Sequence, residues 1–422
     1  MIQKINDLIS KKEMPIFIAF LFMQPILDAL IGMFNNYNIV SSITSALKIL
    51  FMFFCLYYIC FIKKNNLKYI FILFLYCIAF LITNILFKGS SNIVIELKIL
   101  VKNIFLPISL IFIVNLFKEN IFDIKNLYRI LLIYIVLIFV PNILNLGLNS
   151  YSYAKLGNVG FFYSANAIGS IISMLTPLLI GYLFINKTKV KLLIFLGVYL
   201  YILATIGTKA PILCFSIVIL YYYILYILKS IKEKKYYKIF IILIGLTVTF
   251  FLAIKFIPMT PFYKNLIIHL EFLEIKSFWD LFTFNNFDHF IFSARLTCFK
   301  EALNIYMDSS IIQKLFGIGY VIEGNLFKTS EMDYLVTFIH QGIIGFIVLY
   351  WLYFKILFKV FKGYFKNFKT QFKDINQTSI IIGIVISMLC AFLAGHVLET
   401  PSVCIFVLIL IVIAYEELRI KG

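Results

Sequence analysis

SARLTCFKEALNIYMDSSIIQKLFGIGYVIEGNLFKTSEMDYLVTFIHQGIIG, residues 293–345, opens with an arginine and turns at Gly317–Gly319. It then presents Glu331 and Asp333 at the mouth of an apolar run starting at Tyr334. That run, 334–357, is long enough to cross about 30 Å of hydrocarbon as a helix. The residues before it therefore form a connection that meets a membrane surface carrying polar groups.

Similar runs recur outward from this stretch. Hydrophobic residues make up 62 % of the 422, and the mean hydropathy is +0.99, far outside soluble usage. The runs do not alternate in polarity as barrel strands do, and a helix satisfies its own backbone in lipid. The expected fold is an all-α polytopic membrane protein with twelve spans. They fall near 15–34, 43–62, 67–87, 97–117, 127–147, 165–185, 190–208, 210–228, 238–257, 334–357, 378–397 and 401–418. Three regions follow: spans one to nine over 1–257, a loop over 258–333, and spans ten to twelve over 334–422.

The formal charge of +18 would suggest nucleic acid in a soluble chain. Here most of the 38 basic residues fall in alternate short connections, such as Lys63, Lys64 and Lys68, or Lys355 to Lys373. Both termini are thus expected on the cytoplasmic side and the 258–333 loop outside, with no nucleic-acid partner. Six of the seven cysteines (Cys55, Cys60, Cys77, Cys214, Cys390, Cys404) fall in apolar runs and Cys298 in the loop. None has metal-ligand spacing, so they read as small apolar fillers. The first apolar run lacks a small-residue cleavage site, so no removable signal peptide is expected.

The long loop opens with Pro258 and Pro261. Within it, Ala294–Met307 has helical periodicity, with Leu296, Phe299, Leu303 and Tyr306 on one stripe and Arg295 and Glu301 off it. The loop is aromatic-rich and apolar, so it should pack as a cap over the bundle rather than remain disordered. No internal repeat and no inverted pair of broken spans is visible.

Basic residues on the outer side need a reason, because each is costly near hydrocarbon. Lys48 lies in span two, Lys98 and Lys102 one turn apart at the outer end of span four, Lys209 between spans seven and eight, and Arg295 in the cap helix. A single lysine can snorkel to headgroups. The five together point to an anionic ligand at the outer leaflet, with the planar fork of Arg295 best suited to phosphate oxygens. Asp28, in span one, either pairs with a lysine such as Lys48 or lines a polar cavity. His396 and Glu399 end span eleven; His340 and Gln341 lie two turns into span ten, where a histidine is usually packed. The four histidines show no zinc spacing, and no metal is expected. Glu331 and Asp333 stand where a helix N-terminus favours carboxylates. Either helix capping, with Ser330 or Asp333 as the cap, or a general base beside a bound phosphate accounts for them.

At these residues the chain resembles the O-antigen polymerase/ligase superfamily of polytopic glycosyltransferases. The likeness covers the whole architecture. It rests on G-T-K-A-P-I-L (Gly207–Leu213), S-A-R-L-T-C-F-K-E-A-L followed by L-F-G-I-G-Y, and E-M-D-Y-L-V-T-F-I-H-Q-G-I-I-G-F. In the last motif many members carry H-N-x-x-L. Glu331 replaces the histidine and Met332 the asparagine, which leaves the base open between Glu331 and Asp333. The resemblance implies a GT-C-like fold in the bacterial cytoplasmic membrane. It implies undecaprenyl-pyrophosphate-linked glycan as donor and acceptor, membrane lipid as surroundings, and a chain-length regulator as a further partner. Arg295, Lys209, Lys98, Lys102 and Lys48 would then neutralise the departing pyrophosphate, and Glu331 or Asp333 would deprotonate the acceptor hydroxyl. No cofactor is implied, and neither D-x-D nor a P-loop occurs. The expected activity is inverting polymerisation of capsular or O-antigen-type repeat units, with transfer of finished glycan by a ligase as its near neighbour. A flippase for the same lipid is the alternative of another class; it would need polar residues through the depth of the spans, where Asp28 stands nearly alone.

Overall fold

The computed structural model describes residues 2–34, 38–150, 156–275, 277–322, 325–326 and 331–421. The first eight helices are α1 (Ile2–Met33), α2 (Asn38–Tyr57), α3 (Leu67–Lys88), α4 (Ile93–Glu119), α5 (Lys125–Ile143), α6 (Ala165–Ile185), α7 (Lys189–Ile206) and α8 (Lys209–Lys232). After α9 (Tyr236–Phe256) the long loop forms α10 (Pro261–Phe272), the single turn α11 (Phe284–Phe287), α12 (Arg295–Asp308) and α13 (Ile311–Phe316). Then come α14 (Asp333–Lys366), the short α15 (Phe368–Gln371), α16 (Ile375–Leu393) and α17 (Pro401–Lys421). Among the described residues, eleven helices are long and apolar enough to cross a membrane: α1 to α8, α14, α16 and α17. The expected ninth span coincides with α9, several of whose side chains lie outside the described residues. The protein is an all-α multi-pass membrane protein, with one two-stranded hairpin pairing Val321 with Leu326 and Ile322 with Asn325.

Helix α17 has no polar face between Val403 and Ala414, and a helix apolar all round belongs in the interior. Every residue of that stretch is buried, against α4, α14, α16 and α6. Lipid is as apolar as leucine, so packing and interhelical hydrogen bonds must hold such a bundle. Tyr222 of α8 meets Ser379 of α16 at 2.9 Å, and Tyr364 of α14 meets Thr378 of α16 at 2.8 Å.

Two spans end differently from the hydropathy reading. The run 378–397 is helical only to Leu393, because Gly395 and His396 take left-handed backbone (φ +66° and +59°) and turn the chain into a loop before α17. Helix α14 continues past 357 to Lys366, since hydropathy falls at the lysines while helix propensity does not. It is also broken at Gly342, whose φ is +72°. The break lies where the Gly317–Gly319 turn crosses it. A Cβ on Gly342 would lie 2.4 Å from the Gly317 nitrogen, and one on Gly317 would lie 2.2 Å from the His340 oxygen. Both crossings need glycine for space as well as for backbone geometry.

That turn is tied into the bundle by Glu96 at the start of α4. The buried carboxylate accepts the Tyr320 and Val321 amides at 2.8 and 2.9 Å and pairs with Lys88 at 3.2 Å. His340 stacks on Tyr320 and bonds the Gly319 carbonyl through Nδ1 at 2.6 Å, the packed role expected of it. Three residues of the expected α12 stripe pack inward, while Leu296 lies outside the cluster they form. Phe299, Leu303 and Tyr306 of α12, with Ala302, lie against Ile318 and Ile339.

Candidate functional site

Arg295 owes its position to a buried acid. Ser293 and Ala294 take left-handed backbone and reverse the chain into α12. Asp288, fully buried, then accepts the Leu296 and Thr297 amides at 2.9 and 2.8 Å and the Thr297 hydroxyl at 2.6 Å. A carboxylate on free first-turn amides is the favoured arrangement at a helix start, and it fixes the first residue of α12. From there Arg295 Nη2 donates to Glu331 Oε2 at 2.7 Å and Nη1 to the Phe292 carbonyl at 3.3 Å. Its Nε is buried with no hydrogen-bond partner among the described residues.

Glu331 has a second partner. His396 Nε2 lies 3.6 Å from Glu331 Oε1, so one carboxylate joins the cap helix to the α16–α17 loop. The contact between those backbones is close: a Cβ on Gly395 would fall 1.5 Å from the Glu331 oxygen. His396, then Arg295, hold the Glu331 carboxyl down to about 2 despite its burial, and Glu331 in turn raises the His396 imidazole above its ordinary value.

Asp333, the first residue of α14, is turned the other way. Its oxygens accept the amides of His396 (2.8 Å), Val397 (2.9 Å) and Leu398 (2.7 Å). The carboxylate therefore shapes the loop bearing His396 rather than capping its own helix, whose N-cap is Met332. Ser330 lies outside the described residues. Glu399, in the same loop, accepts from Thr337 Oγ1 at 3.2 Å. Burial, then the neighbouring Asp333 charge, push its carboxyl up to about 8. The site thus holds two carboxyls shifted in opposite directions, Glu331 below and Glu399 above their ordinary range.

The lysines divide. Lys102 lies close enough to Glu399 for its charge to act on that carboxyl. Lys209 opens α8, donates to the Phe290 carbonyl and lies 4.0 Å from the centre of the Phe290 ring. It shares the turn 288–292 with Arg295, which bonds Phe292. Lys48 is paired with Asp28 at 3.2 Å, the contact that the sequence offered as one alternative, and Tyr134 OH donates to the other Asp28 oxygen at 3.3 Å. Lys98 is exposed. The sequence reading gave no role to Asp288, and none to His396 or Glu399; the polar pair before Pro401, in an otherwise apolar terminal region, was the available signal. No group of three or more metal-ligating side chains occurs among the described residues.

Fold and cluster together define a polytopic membrane protein that presents a cation, a carboxylate and an imidazole at one end of its helix bundle. The sequence model of the "O-antigen ligase like membrane protein" family matches residues 10–280 and 277–420. The chain belongs to this family of glycosyltransferase-type membrane enzymes, and its function is the handling of glycan at a membrane. No curated protein matches the chain significantly.

Proposed function

We propose that the protein is an inverting glycan polymerase. It joins undecaprenyl-pyrophosphate-linked repeat units on the outer face of the bacterial cytoplasmic membrane, with both termini on the cytoplasmic side. The observation that carries this reading is the Arg295–Glu331–His396 cluster, with Arg295 Nε unused beside an ionised carboxylate and an imidazole.

In the proposed reaction an acceptor sugar hydroxyl attacks the donor's anomeric carbon. The new glycosidic C–O bond forms as the bond from that carbon to the pyrophosphate oxygen breaks, and configuration inverts. Arg295 takes the departing phosphate oxygens, with Lys209, Lys102 and Lys98 as further positive charge around them. The hydroxyl proton goes to the Glu331–His396 pair. A carboxylate held near 2 is a poor base alone, so the imidazole accepts the proton and Glu331 stabilises the imidazolium. Nδ1 of His396, the ring nitrogen that is not the one facing Glu331, would receive the hydroxyl. Asp333 acts by shaping the loop, and Lys48 by its pair with Asp28.

The family description favours a second reading, transfer of finished glycan to a different acceptor by the same chemistry. Purified protein in vesicles, given a synthetic lipid-pyrophosphate-linked repeat unit alone, distinguishes them. Ladders of repeats support polymerase, and product formed only with an added second acceptor supports ligase. Translocation of the lipid without any new glycosidic bond would end the enzyme reading.

A further inference from the structure

The segment between α9 and the turn at 288–292 carries an apolar surface that the cluster does not use. Met259 is 68 % exposed, Phe272 75 %, Trp279 77 %, Phe282 59 % and Phe284 60 %, more than a cap packed over a bundle would leave bare. Its acids are Glu271 and Glu274, exposed around the end of α10, and Asp280, whose Oδ2 is turned back onto the Ser277 amide at 2.7 Å. At the end of α9 that leads into this segment, Phe251, Ile254 and Phe256 are exposed as well.

Two ties fix the level of this segment. Asn265 of α10 accepts the Leu156 amide at 2.6 Å and donates to the Gly207 carbonyl at 3.2 Å. Gly207 is the turn between α7 and α8, where two spans leave the bilayer. Lys209, the first residue of α8, reaches the Phe290 carbonyl. The aromatic segment therefore lies beside the ends of the spans, with the exposed Lys255 and Lys264 flanking it. Aromatic rings at headgroup depth with lysines alongside form the pattern by which protein surfaces insert into one leaflet.

We propose that residues 257–272 and 277–287 form an interfacial wedge. Its aromatic side chains sit among the acyl chains of the adjoining leaflet, and Lys255 and Lys264 meet phosphate headgroups. The occupant of this apolar face is bilayer lipid, not a second copy of the chain or a partner protein. Embedding would hold the 288–292 turn, and with it Arg295 and Lys209, at the depth of lipid phosphates.

The chain has two tryptophans, Trp279 and Trp351, which makes the test direct. Trp351, on a span, is 58 % exposed and serves as the lipid-facing reference. W351F and W279F are reconstituted in vesicles of ordinary phosphatidylcholine or of phosphatidylcholine brominated on its acyl chains. The expected result is a loss of Trp279 emission in brominated vesicles comparable with that of Trp351, and no loss with aqueous iodide. Quenching by iodide without quenching by brominated lipid would overturn the proposal. So would shielding from both, which would mean that protein covers the face. If W351F fails to fold, the difference between wild-type and W279F emission reports Trp279 in the same vesicles.

Discussion

Arg295 and Glu331, 36 residues apart in the chain, meet at 2.7 Å and close the cap onto the entrance of α14. The pair is also the point at which a positive charge stands next to the acid–imidazole couple.

The first prediction concerns the fork of that arginine. R295A should lower turnover by about 10²-fold or more while the protein still inserts and folds, as loss of a charge-stabilising donor does. R295K keeps the charge but loses the planar fork, and should recover only part of the activity. The rate of glycosidic-bond formation in vesicles measures both; an unchanged rate in R295A would remove Arg295 from the chemistry.

The second concerns the pH profile. The proposed base works only as neutral imidazole, so activity should rise with pH through the raised value of His396. The groups acting on that imidazole are Glu331, Asp333 and Glu399, with Arg295 beyond Glu331. E331Q removes the foremost of them and should move the rising limb to lower pH, at a reduced maximum. H396Q should abolish the limb. A limb unmoved in E331Q would mean that another group titrates.

A third follows from Glu399. Its folded value is raised from 4.5 to about 8, so the folded state binds the proton more tightly than the unfolded one. The resulting stabilisation is fully present below about 4.5 and is lost as pH rises through about 8. Thermal stability in detergent should fall over that window, and E399Q should flatten the slope. A slope of the same size in E399Q would assign it elsewhere.

The fourth tests the support beneath the glycine turn. E96A leaves Lys88 and two amides without their acceptor inside the bundle, and should destabilise by about 3–5 kcal/mol. E96Q keeps one acceptor oxygen and should cost less. Chemical or thermal unfolding of the two variants gives the comparison, and equal stability of E96A and wild type would show that the turn is held by other contacts.

These residues also mark how far the sequence could be read. The spans were legible because lipid imposes one strong requirement, an apolar run of fixed length, and α12 was legible because its stripe repeats at helical spacing. Arg295 stood out as a cation on the side where cations are costly, and Glu331 as one of two carboxylates at the start of a span. The sequence could not pair Arg295 with Glu331, because their meeting depends on the reversal at Ser293–Ala294 and on the Gly317–Gly319 turn crossing α14 at Gly342. His396 and Glu399 were visible as polar residues but seemed to terminate a span; the left-handed turn at Gly395 and His396 removes them from it. Asp28 and Lys48 are a case where the sequence posed two alternatives and the observed ion pair selects one contact.

The last prediction separates Asp333 from Glu331, two carboxylates that the sequence could not tell apart. All three amides of 396–398 point at Asp333, so its lone pairs are committed to the loop and a substrate hydroxyl would have to displace one of them. D333N turns an amide donor toward those same N–H groups. The loop should loosen, with lower thermal stability and a displaced pH limb, because His396 is the first residue it holds. A residue that took the proton itself would behave otherwise: D333N would lose turnover with stability and the position of the limb preserved. Measuring turnover, melting temperature and pH profile on the same D333N preparation decides between them. Loss of activity alone, on an otherwise wild-type background, would return the base to Asp333 and reduce the His396–Glu331 contact to a clasp between the cap and the final span.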